Sequence, residues 1–166
     1  MPNIAIRSAT EADATRIAEI YAPFVNDTVI SFEDVPPSAD EMAHRIRDVG
    51  RAYPYLVAEV DGAVGGYAYA GRHRVRAAYR YSVDVTIYLD PQFQGAGVGR
   101  MLYGALFERL EALEFARAFA AITLPNAASV AIHKSFGFTH IGTFERVGFK
   151  FDAWHDVSWW GRDLKA

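Results

Sequence analysis

The sequence Gln94-Gly95-Ala96-Gly97-Val98-Gly99-Arg100 lies between two runs of opposite character. Residues 81–89 before it have the β-branched and aromatic composition of a strand, and residues 101–113 after it repeat leucine at helical spacing. A loop that leaves a strand and enters a helix directs several backbone N–H groups to one point, where the helix dipole adds partial positive charge. Glycines at alternate positions let a phosphate approach the backbone closely. The stretch therefore predicts a pyrophosphate site, to which Arg100 can add a charge-assisted hydrogen bond.

Two common nucleotide-binding loops do not fit this stretch. A Walker A loop ends in Gly-Lys-Ser/Thr, whereas this one ends Gly99-Arg100-Met101. A dinucleotide-binding loop has the spacing G-x-G-x-x-G and an acidic residue at the end of the next strand. Here the spacing is G-x-G-x-G, and the next strand-like run ends Ile122-Thr123-Leu124. A glycine-rich turn that binds no ligand is the plain alternative.

Length and composition are those of one globular domain over residues 1–166. With 51% hydrophobic and 22% charged residues, the chain can bury a sizeable core. The net charge of −3 argues against a partner such as nucleic acid or an anionic membrane. The absence of cysteine excludes disulfides, thiolate metal ligands and an acyl-cysteine mechanism. Because the chain lacks a signal-like N-terminus and an apolar run of membrane-spanning length, we expect a soluble, cytoplasmic protein.

Apolar periodicity predicts about four helices and about seven strands. Helical spacing is found over residues 17–24, 42–49, 102–113 and 127–136, with Leu102, Leu106, Leu110 and Leu113 as the buried stripe of the third helix. Strand-like runs occupy residues 4–6, 56–60, 64–69, 81–89, 119–123, the surroundings of 142–145, and 157–164. The order places antiparallel hairpins first and a βαβ unit around the glycine loop next. We therefore expect an α/β (α+β) fold with a mixed sheet and a ligand at the carboxyl end of the strand before that loop.

The glycine loop, residues 94–100, matches the Gln/Arg-x-x-Gly-x-Gly/Ala loop of the GNAT superfamily of acyl-CoA N-acyltransferases at every fixed position. With the predicted order of elements, the chain resembles this superfamily over nearly its whole length, which implies the GNAT fold. It is most similar to the branch of phosphinothricin, methionine sulfoximine and methionine sulfone acetyltransferases. The segments that carry this closer resemblance are 7–13, 53–62, 86–89, 124–126 with Ser129, His133 with 136–138, 148–150 and 154–156.

The resemblance implies acetyl-CoA as the acetyl donor. The glycine loop (Gln94, Gly95, Ala96, Gly97, Val98, Gly99 and Arg100) would bind its pyrophosphate. The strand edge at Ile87 and Leu89 would pair with the pantetheine arm, since an amide-bearing chain can complete an open strand edge. Asn126 and Ser129 match positions that contact the pantetheine near the thioester. From the residues alone, the same Asn and Ser are also good N-terminal residues of the fourth helix.

Acetyl transfer to an amine requires a neutral amine, and Asp84 is the candidate for the group that takes its proton. It lies among apolar residues of a strand, where an unpaired charge is destabilising. The branch that the chain resembles has an acidic residue, usually Glu, at this position. Because Asp is one methylene shorter, we expect a relaying water rather than direct contact. A surface carboxylate on a solvated strand face is the alternative.

His133 lies four residues before Gly137, where many members of the superfamily have a Tyr that protonates the departing thiolate and this branch has His. A histidine can give or take a proton at neutral pH. It could therefore protonate the thiolate or assist Asp84. A half-buried helix histidine bonded to the backbone is the alternative.

A basic cluster precedes Asp84 in the stretch Arg72-His73-Arg74-Val75-Arg76, with Arg80 close behind. Because guanidinium groups match carboxylates in bidentate geometry, we interpret it as a clamp for the carboxylate of an amino-acid substrate. A solvated loop is the alternative. In the branch that the chain resembles, the substrate-side residues match Arg74, Arg76 and Tyr79. A loop that closes over the substrate matches Phe32.

The predicted function is the transfer of an acetyl group from acetyl-CoA to a small amino-acid-like amine by direct attack. The alternatives are a protein N-terminal or lysine acetyltransferase and a non-catalytic acyl-CoA-binding sensor. The five histidines show no metal-ligand spacing, so no metal is expected. The resemblance also implies a homodimer.

Overall fold

A single seven-stranded sheet forms the centre of the molecule in the computed structural model, which describes residues 1–165. The strands are β1 (Ile4–Ser8), β2 (Tyr55–Val60), β3 (Ala63–Arg72), β4 (Ser82–Leu89), β5 (Arg117–Thr123), β6 (Thr139–Lys150) and β7 (Ala153–Asp163). The α-helices are α1 (Ala14–Asp27), α2 (Ala39–Gly50), α3 (Val98–Ala112) and α4 (Ala127–Ser135). The strands lie in the order β1-β2-β3-β4-β5-β7-β6. The predicted fold class is confirmed.

The sheet opens between β4 and β5. These strands form the parallel pair that the crossover through α3 predicts. The ladder joins residues 82–84 to residues 117–119 and ends at the pair of Asp84 with Phe119. Both strands continue beyond it, to Leu89 and Thr123, without a further ladder pair in residues 1–165. The two strands therefore enclose a wedge-shaped gap, and the edge of β4 in that gap has unpaired backbone groups.

Helices cover both faces of the sheet. Helices α3 and α4 pack on one face, and α1 and α2 pack on the other. In α3, Leu102, Leu106 and Leu110 are fully buried as predicted. The expected fourth member of this stripe, Leu113, is 57% exposed because the helix ends at Ala112. None of the helices among residues 1–165 combines the length and apolarity needed to cross a bilayer.

The last two strands are longer than the sequence pattern predicts. Strand β6 spans residues 139–150 rather than the surroundings of 142–145, and β7 begins at Ala153 rather than 157. Irregularities in the pairing near Gly142 and between Phe144 and Gly148 shift the alternation of side chains along β6. The period of two that identifies a strand is therefore broken, although the hairpin is continuous.

A buried lysine connects this hairpin to the loop between α1 and α2 (residues 28–38). Lys150 is 5% exposed. Its Nζ donates hydrogen bonds to the carbonyl oxygens of Val25 at 2.6 Å, Thr28 at 2.8 Å and Ser31 at 2.7 Å. Three acceptors satisfy all the donors of an ammonium group. The loop is thus held by its backbone against the β6–β7 hairpin.

Candidate active site

The glycine loop has the backbone geometry of an anion site. Gly95 and Gly97 have φ of +80° and +83°, a conformation that glycine adopts without strain. Gly97 is also the N-cap residue of α3. A Cβ built on either glycine meets no atom within 4 Å, so the space above the loop is open to a ligand. The first N–H groups of a helix have no acceptor within it, so those of residues 98–100 point into this space.

The third glycine of the loop has a different role. A Cβ at Gly99 would lie 3.2 Å from the Leu89 side chain and 3.3 Å from that of Ile132. Gly99 therefore allows α3 to pack closely against β4 and α4. Val98 is 1% exposed, so only its main chain is available to a ligand, whereas the side chains of Gln94 and Arg100 are exposed.

Two adjoining cavities lead from the loop into the gap between the strands. The outer cleft has a volume of about 410 Å³ and reaches from Gln94 and Gly95 along the edge of β4 to the start of α4. The wedge pocket has a volume of about 110 Å³ and lies between residues 85–88 of β4 and residues 120–123 of β5. Both are lined by Ile30, Ile87, Tyr88, Asn126 and Ser129, and Leu89 lines the outer cleft. Together they form one channel.

Asn126 and Ser129 fit both interpretations that the sequence allowed. The side-chain oxygen of Asn126 accepts a hydrogen bond from the N–H of Ser129 at 3.1 Å, so Asn126 caps α4. Both residues also line the outer cleft and the wedge pocket. The cap therefore fixes two polar side chains at the wall of the channel.

His133 is a buried member of the wedge pocket, with 3% exposure. Its Nδ1 lies 2.7 Å from the carbonyl oxygen of Ser129, and its Nε2 lies 2.9 Å from the hydroxyl of Tyr103. Burial lowers the pKa of His133, which favours the neutral ring. The neighbours then assign the tautomer: Nδ1–H donates to the carbonyl, and Nε2 accepts from Tyr103. Tyr103 also lines the wedge pocket. His133 can therefore act on a group bound in that pocket through the Tyr103 hydroxyl.

Asp84 lies at the point where the sheet opens, and it has a partner that the sequence did not suggest. Its carboxylate oxygen is 2.6 Å from Nδ1 of His73. Burial raises the pKa of the Asp84 carboxyl, and the hydrogen bond from His73 acts in the opposite direction. The pair is set between the basic cluster and the wedge gap. No hydrogen bond joins Asp84 to His133 in residues 1–165.

The expected substrate-side residues are only partly brought together. The Arg74 guanidinium lies 5.7 Å above the Trp159 ring and donates to the carbonyl oxygen of His73 at 2.8 Å. The Tyr79 ring is 5.8 Å from the His73 ring. Arg76 is exposed and caps the short 3-10 turn Ala77–Tyr79. Arg74 and Tyr79 thus flank the His73–Asp84 pair.

Phe32 packs away from the channel. It is 41% exposed, and a Cβ on Gly148 would overlap its ring, so the ring lies directly on the backbone of β6. The ring of His155 is 6.4 Å away. The loop of residues 28–38 reaches both cavities through Ile30 instead.

The sequence did not indicate Tyr103 and Ile30 as residues of this site, and it placed His73 in the basic cluster without its bond to Asp84. A signal existed for His73, since it follows the β3 residue Gly71 by two positions, and Gly71 pairs with Asp84 across the ladder. Residues in such diagonal positions share a face of the sheet. Detecting it requires the register of β3 and β4, which the sequence alone does not give. Among residues 1–165, no group of three or more His, Cys, Asp or Glu side chains is arranged to hold a metal ion.

Known proteins resemble this chain over nearly its full length. Residues 6–159 match the acetyltransferase (GNAT) domain family. The phosphinothricin N-acetyltransferase of Streptomyces viridochromogenes is 37% identical over 98% of this chain and 88% of its own length. The L-methionine sulfoximine/L-methionine sulfone acetyltransferase of Salmonella typhimurium is 36% identical over 92% of this chain and 90% of its own.

A solved structure agrees in fold as well as in sequence. The phosphinothricin acetyltransferase of Sinorhizobium meliloti, solved in complex with acetyl-CoA, superposes with a TM-score of 0.93 at 40% identity, covering 97% of this chain and 88% of that one. The open glycine loop, its free N–H groups and the exposed edge of β4 fit such a donor. The chain belongs to the GNAT family of acetyltransferases, in its phosphinothricin and methionine sulfoximine acetyltransferase branch.

Proposed function

We propose that this single-domain enzyme acetylates the amino group of a small amino-acid-like substrate of the phosphinothricin, methionine sulfoximine or methionine sulfone type. The observation that carries the proposal is the channel from the glycine loop to the wedge pocket, whose wall includes Val85, the β4 neighbour of Asp84. Burial raises the pKa of the Asp84 carboxyl, and the nearby Arg74 guanidinium acts in the opposite direction. A donor site, a proton acceptor and a group that binds carboxylates are then adjacent. These are the three requirements of acetyl transfer to an amino acid.

The glycine loop and the edge of β4 hold the donor in this proposal. The N–H groups at the start of α3, with Arg100, bind the pyrophosphate. The unpaired backbone of β4 at Ile87 and Leu89 binds the amide-bearing arm in the manner of an added strand. Asn126 and Ser129, at the wall of the channel, contact the arm near the thioester.

Two groups move protons. Asp84 takes the proton of the substrate ammonium group, directly or through an intermediate group, which frees the nitrogen lone pair for direct attack on the thioester carbonyl. His133 passes a proton to the departing thiolate: its Nε2 first takes up the second proton released by the amine, and the Tyr103 hydroxyl bonded to Nε2 then relays a proton to sulfur. The proximity of both residues to the wedge pocket supports these roles.

The substrate carboxylate is bound by the basic cluster. Arg76 makes no hydrogen bond or ion pair through its side chain in residues 1–165, so its guanidinium can accept a ligand. Arg74 donates to a backbone oxygen and stacks on the Trp159 ring. Tyr79 completes this side.

Replacing Arg74 or Arg76 by Ala should weaken the binding of L-phosphinothricin by about ten- to a hundredfold, the value of a lost charge-assisted hydrogen bond. Arg→Lys should restore only part of this, because lysine cannot make the bidentate contact. Steady-state kinetics measures the effect as a rise in KM. The affinity for acetyl-CoA should be unchanged, and Arg51→Ala, which replaces an exposed arginine at the end of α2, is the control.

The clamp fails as an explanation if the variants lose equal activity on amines with and without a carboxylate. A substrate bound mainly through a peptide chain would give that result.

A second copy of this chain covers the outer face of the β6–β7 hairpin in our proposal. The side chains of Phe149, Phe151 and Trp154 are each more than half exposed there. Such a concentration of exposed aromatics on a small protein marks an interface. We also propose a cytoplasmic location, since acetyl-CoA is multiply charged and crosses an apolar barrier poorly.

Changing Phe149 and Trp154 together to Ser should convert the dimer to a monomer. Sedimentation of wild type is expected to give twice the 18.4 kDa of the chain, and the double variant should give that mass itself. The pair is suitable because the two rings contact each other at 5.1 Å and are 58% and 60% exposed. A monomeric wild type, or a variant that remains dimeric, would remove the hairpin from the interface.

A further inference from the structure

We infer that His73 is the group that takes the proton from the substrate amine, and that Asp84 is the positioning residue that holds its imidazole. The inference rests on the proposed function and deepens it. It identifies the intermediate group between the amine and the carboxylate. The first observation is the 2.6 Å contact between Nδ1 of His73 and the carboxylate of Asp84.

The imidazole of His73 is held in one orientation. It stacks on the Phe119 ring at 4.5 Å with an interplanar angle of 25°. The Trp159 and Tyr79 rings meet it edge-on at 6.1 Å and 5.8 Å. The carboxylate of Asp84 bonds one nitrogen in the ring plane. Contacts on several sides, together with this hydrogen bond, fix a side chain whose ring would otherwise rotate freely.

The other ring nitrogen is accessible. The bond to Asp84 is the one hydrogen bond recorded for this ring within residues 1–165. Every buried side-chain nitrogen or oxygen in that part of the chain has a partner. Nε2 must therefore be open to solvent, which agrees with a side chain that is 14% exposed. A carboxylate is an acceptor, so Nδ1 carries the hydrogen, and Nε2 has a free lone pair with which to act as a base.

The pair faces the reaction site. Side chains alternate along a strand, so Asp84 and Thr86 of β4 lie on one face of the sheet, as do Phe119 and Ala121 of β5. Thr86 and Ala121 line the wedge pocket. Phe119 and Ala121 are two residues apart, which is about 7 Å along a strand. Because His73 stacks on Phe119, its ring lies at about this distance from the pocket wall at Ala121. His73 and Arg74 also line a separate cavity of about 300 Å³ with Phe119 and Trp159, and a small amine bound there can reach Nε2.

The proton transfer is balanced without a further reactant. Nε2 of His73 takes one proton from the ammonium group and becomes an imidazolium, which Asp84 stabilises. The freed lone pair forms the new C–N bond at the thioester carbonyl, and the C–S bond breaks with its electron pair on sulfur. The second proton of the amine balances the thiolate, which leaves as the thiol. His73 then releases its proton to solvent.

Four other groups can influence the charge of this imidazole. Asp84 approaches from β4, Tyr79 from the 3-10 turn, and Arg74 from the adjacent loop. The Arg117 guanidinium of β5 lies over the Phe119 ring, on which the imidazole stacks. The Asp84 carboxylate is the closest of these groups. Its removal should therefore change the orientation and tautomer of the His73 ring more than the removal of any of the others.

The test is the pH dependence of kcat/KM for L-phosphinothricin at saturating acetyl-CoA. For wild type we expect a plateau near neutral pH, because His73 removes the proton from the bound ammonium. For His73→Gln we expect a loss of about 10²–10⁴-fold at pH 7. Its kcat/KM should then rise by about tenfold per pH unit until the amine itself is neutral. For Asp84→Asn we expect a smaller loss with the plateau retained.

The reverse pattern would overturn the inference. If Asp84→Asn rises continuously while His73→Gln keeps its plateau, the carboxylate itself takes the proton. An equal loss at every pH in both variants would mean that the pair only positions the substrate. His44→Gln is the control and should match wild type, because this histidine is exposed on α2 and bonds only the backbone of its own helix.

Nitrogen NMR of the imidazoles separates this inference from the substrate assignment, since it needs no substrate. We expect His73 to be protonated at Nδ1 and unprotonated at Nε2 in the neutral ring, and to lose this preference in Asp84→Asn. If that tautomer is found while wild type does not acetylate L-phosphinothricin, the substrate assignment fails and the basic Nε2 stands. The opposite tautomer overturns the inference for any substrate.

Discussion

Replacing Gly97 by Asp should weaken acetyl-CoA binding by more than about a hundredfold, which isothermal titration calorimetry can measure. Gly97 is the N-cap of α3, and its missing side chain leaves an open space above the first helical N–H groups. The new carboxylate would occupy that space and repel the pyrophosphate. A charge-assisted hydrogen bond lost there is worth about 1.5–3 kcal/mol, and like-charge repulsion adds to it.

The control for this variant is Gly62→Asp. Gly62 has φ of +88°, close to the +83° of Gly97, and a Cβ on it also meets nothing within 4 Å. Both substitutions therefore introduce the same charge and a similar backbone strain of about 1–2 kcal/mol. Gly62 lies in the β2–β3 turn, so Gly62→Asp should bind acetyl-CoA as wild type does. Wild-type affinity in Gly97→Asp would remove the glycine loop from the donor site.

Replacing Lys150 by Met should lower the free energy of unfolding by about 3–5 kcal/mol, the range for removing one partner of a buried charged group. The ammonium group bonds three backbone carbonyls, which would be left without a donor. Met fills a similar volume, so the loss reports the hydrogen bonds rather than a cavity. Urea denaturation measures it.

Lys165→Met is the matched control. Lys165 is 49% exposed and its ion pair with Glu114 is at 4.0 Å, so its replacement should change stability by less than about 0.5 kcal/mol. If Lys150→Met lowers the free energy of unfolding as little as this control does, water satisfies the three carbonyls. The lysine then does not hold the loop of residues 28–38. Lys150 was part of the segments that resemble the acetyltransferase branch, but nothing in the sequence indicated this role.

The sequence predicted those parts of the fold that depend on local pattern. The glycine loop, the helices and the β2–β3 hairpin follow from periodicity over a few residues. The site predicted for the donor depends on the same local signals, because it consists of one continuous loop and the strand before it. The helix starts earlier than expected, at Val98, since Gly97 can cap it with a positive φ that the apolar pattern does not reveal.

Contacts between distant segments could not be predicted in this way. The bond between His73 and Asp84 depends on the register of β3 and β4, and the bond between His133 and Tyr103 depends on how α4 packs on α3. Strand β6 was underestimated because its pairing is irregular. The roles given to Asp84, His133 and the basic cluster remain predictions, and the kinetics described above are what can decide them.

The most direct test of the proposed activity is the release of free thiol from acetyl-CoA in the presence of single amines. The enzyme has no cysteine, so a thiol reagent detects coenzyme A without a protein background. We expect saturable release with L-phosphinothricin, L-methionine sulfoximine or L-methionine sulfone, and none with a decarboxylated analogue or with peptides that present a free N-terminus or lysine. Release with the peptides alone would identify a protein acetyltransferase, and binding of acetyl-CoA without release for any amine would identify a sensor. Either result would contradict the function proposed for this protein.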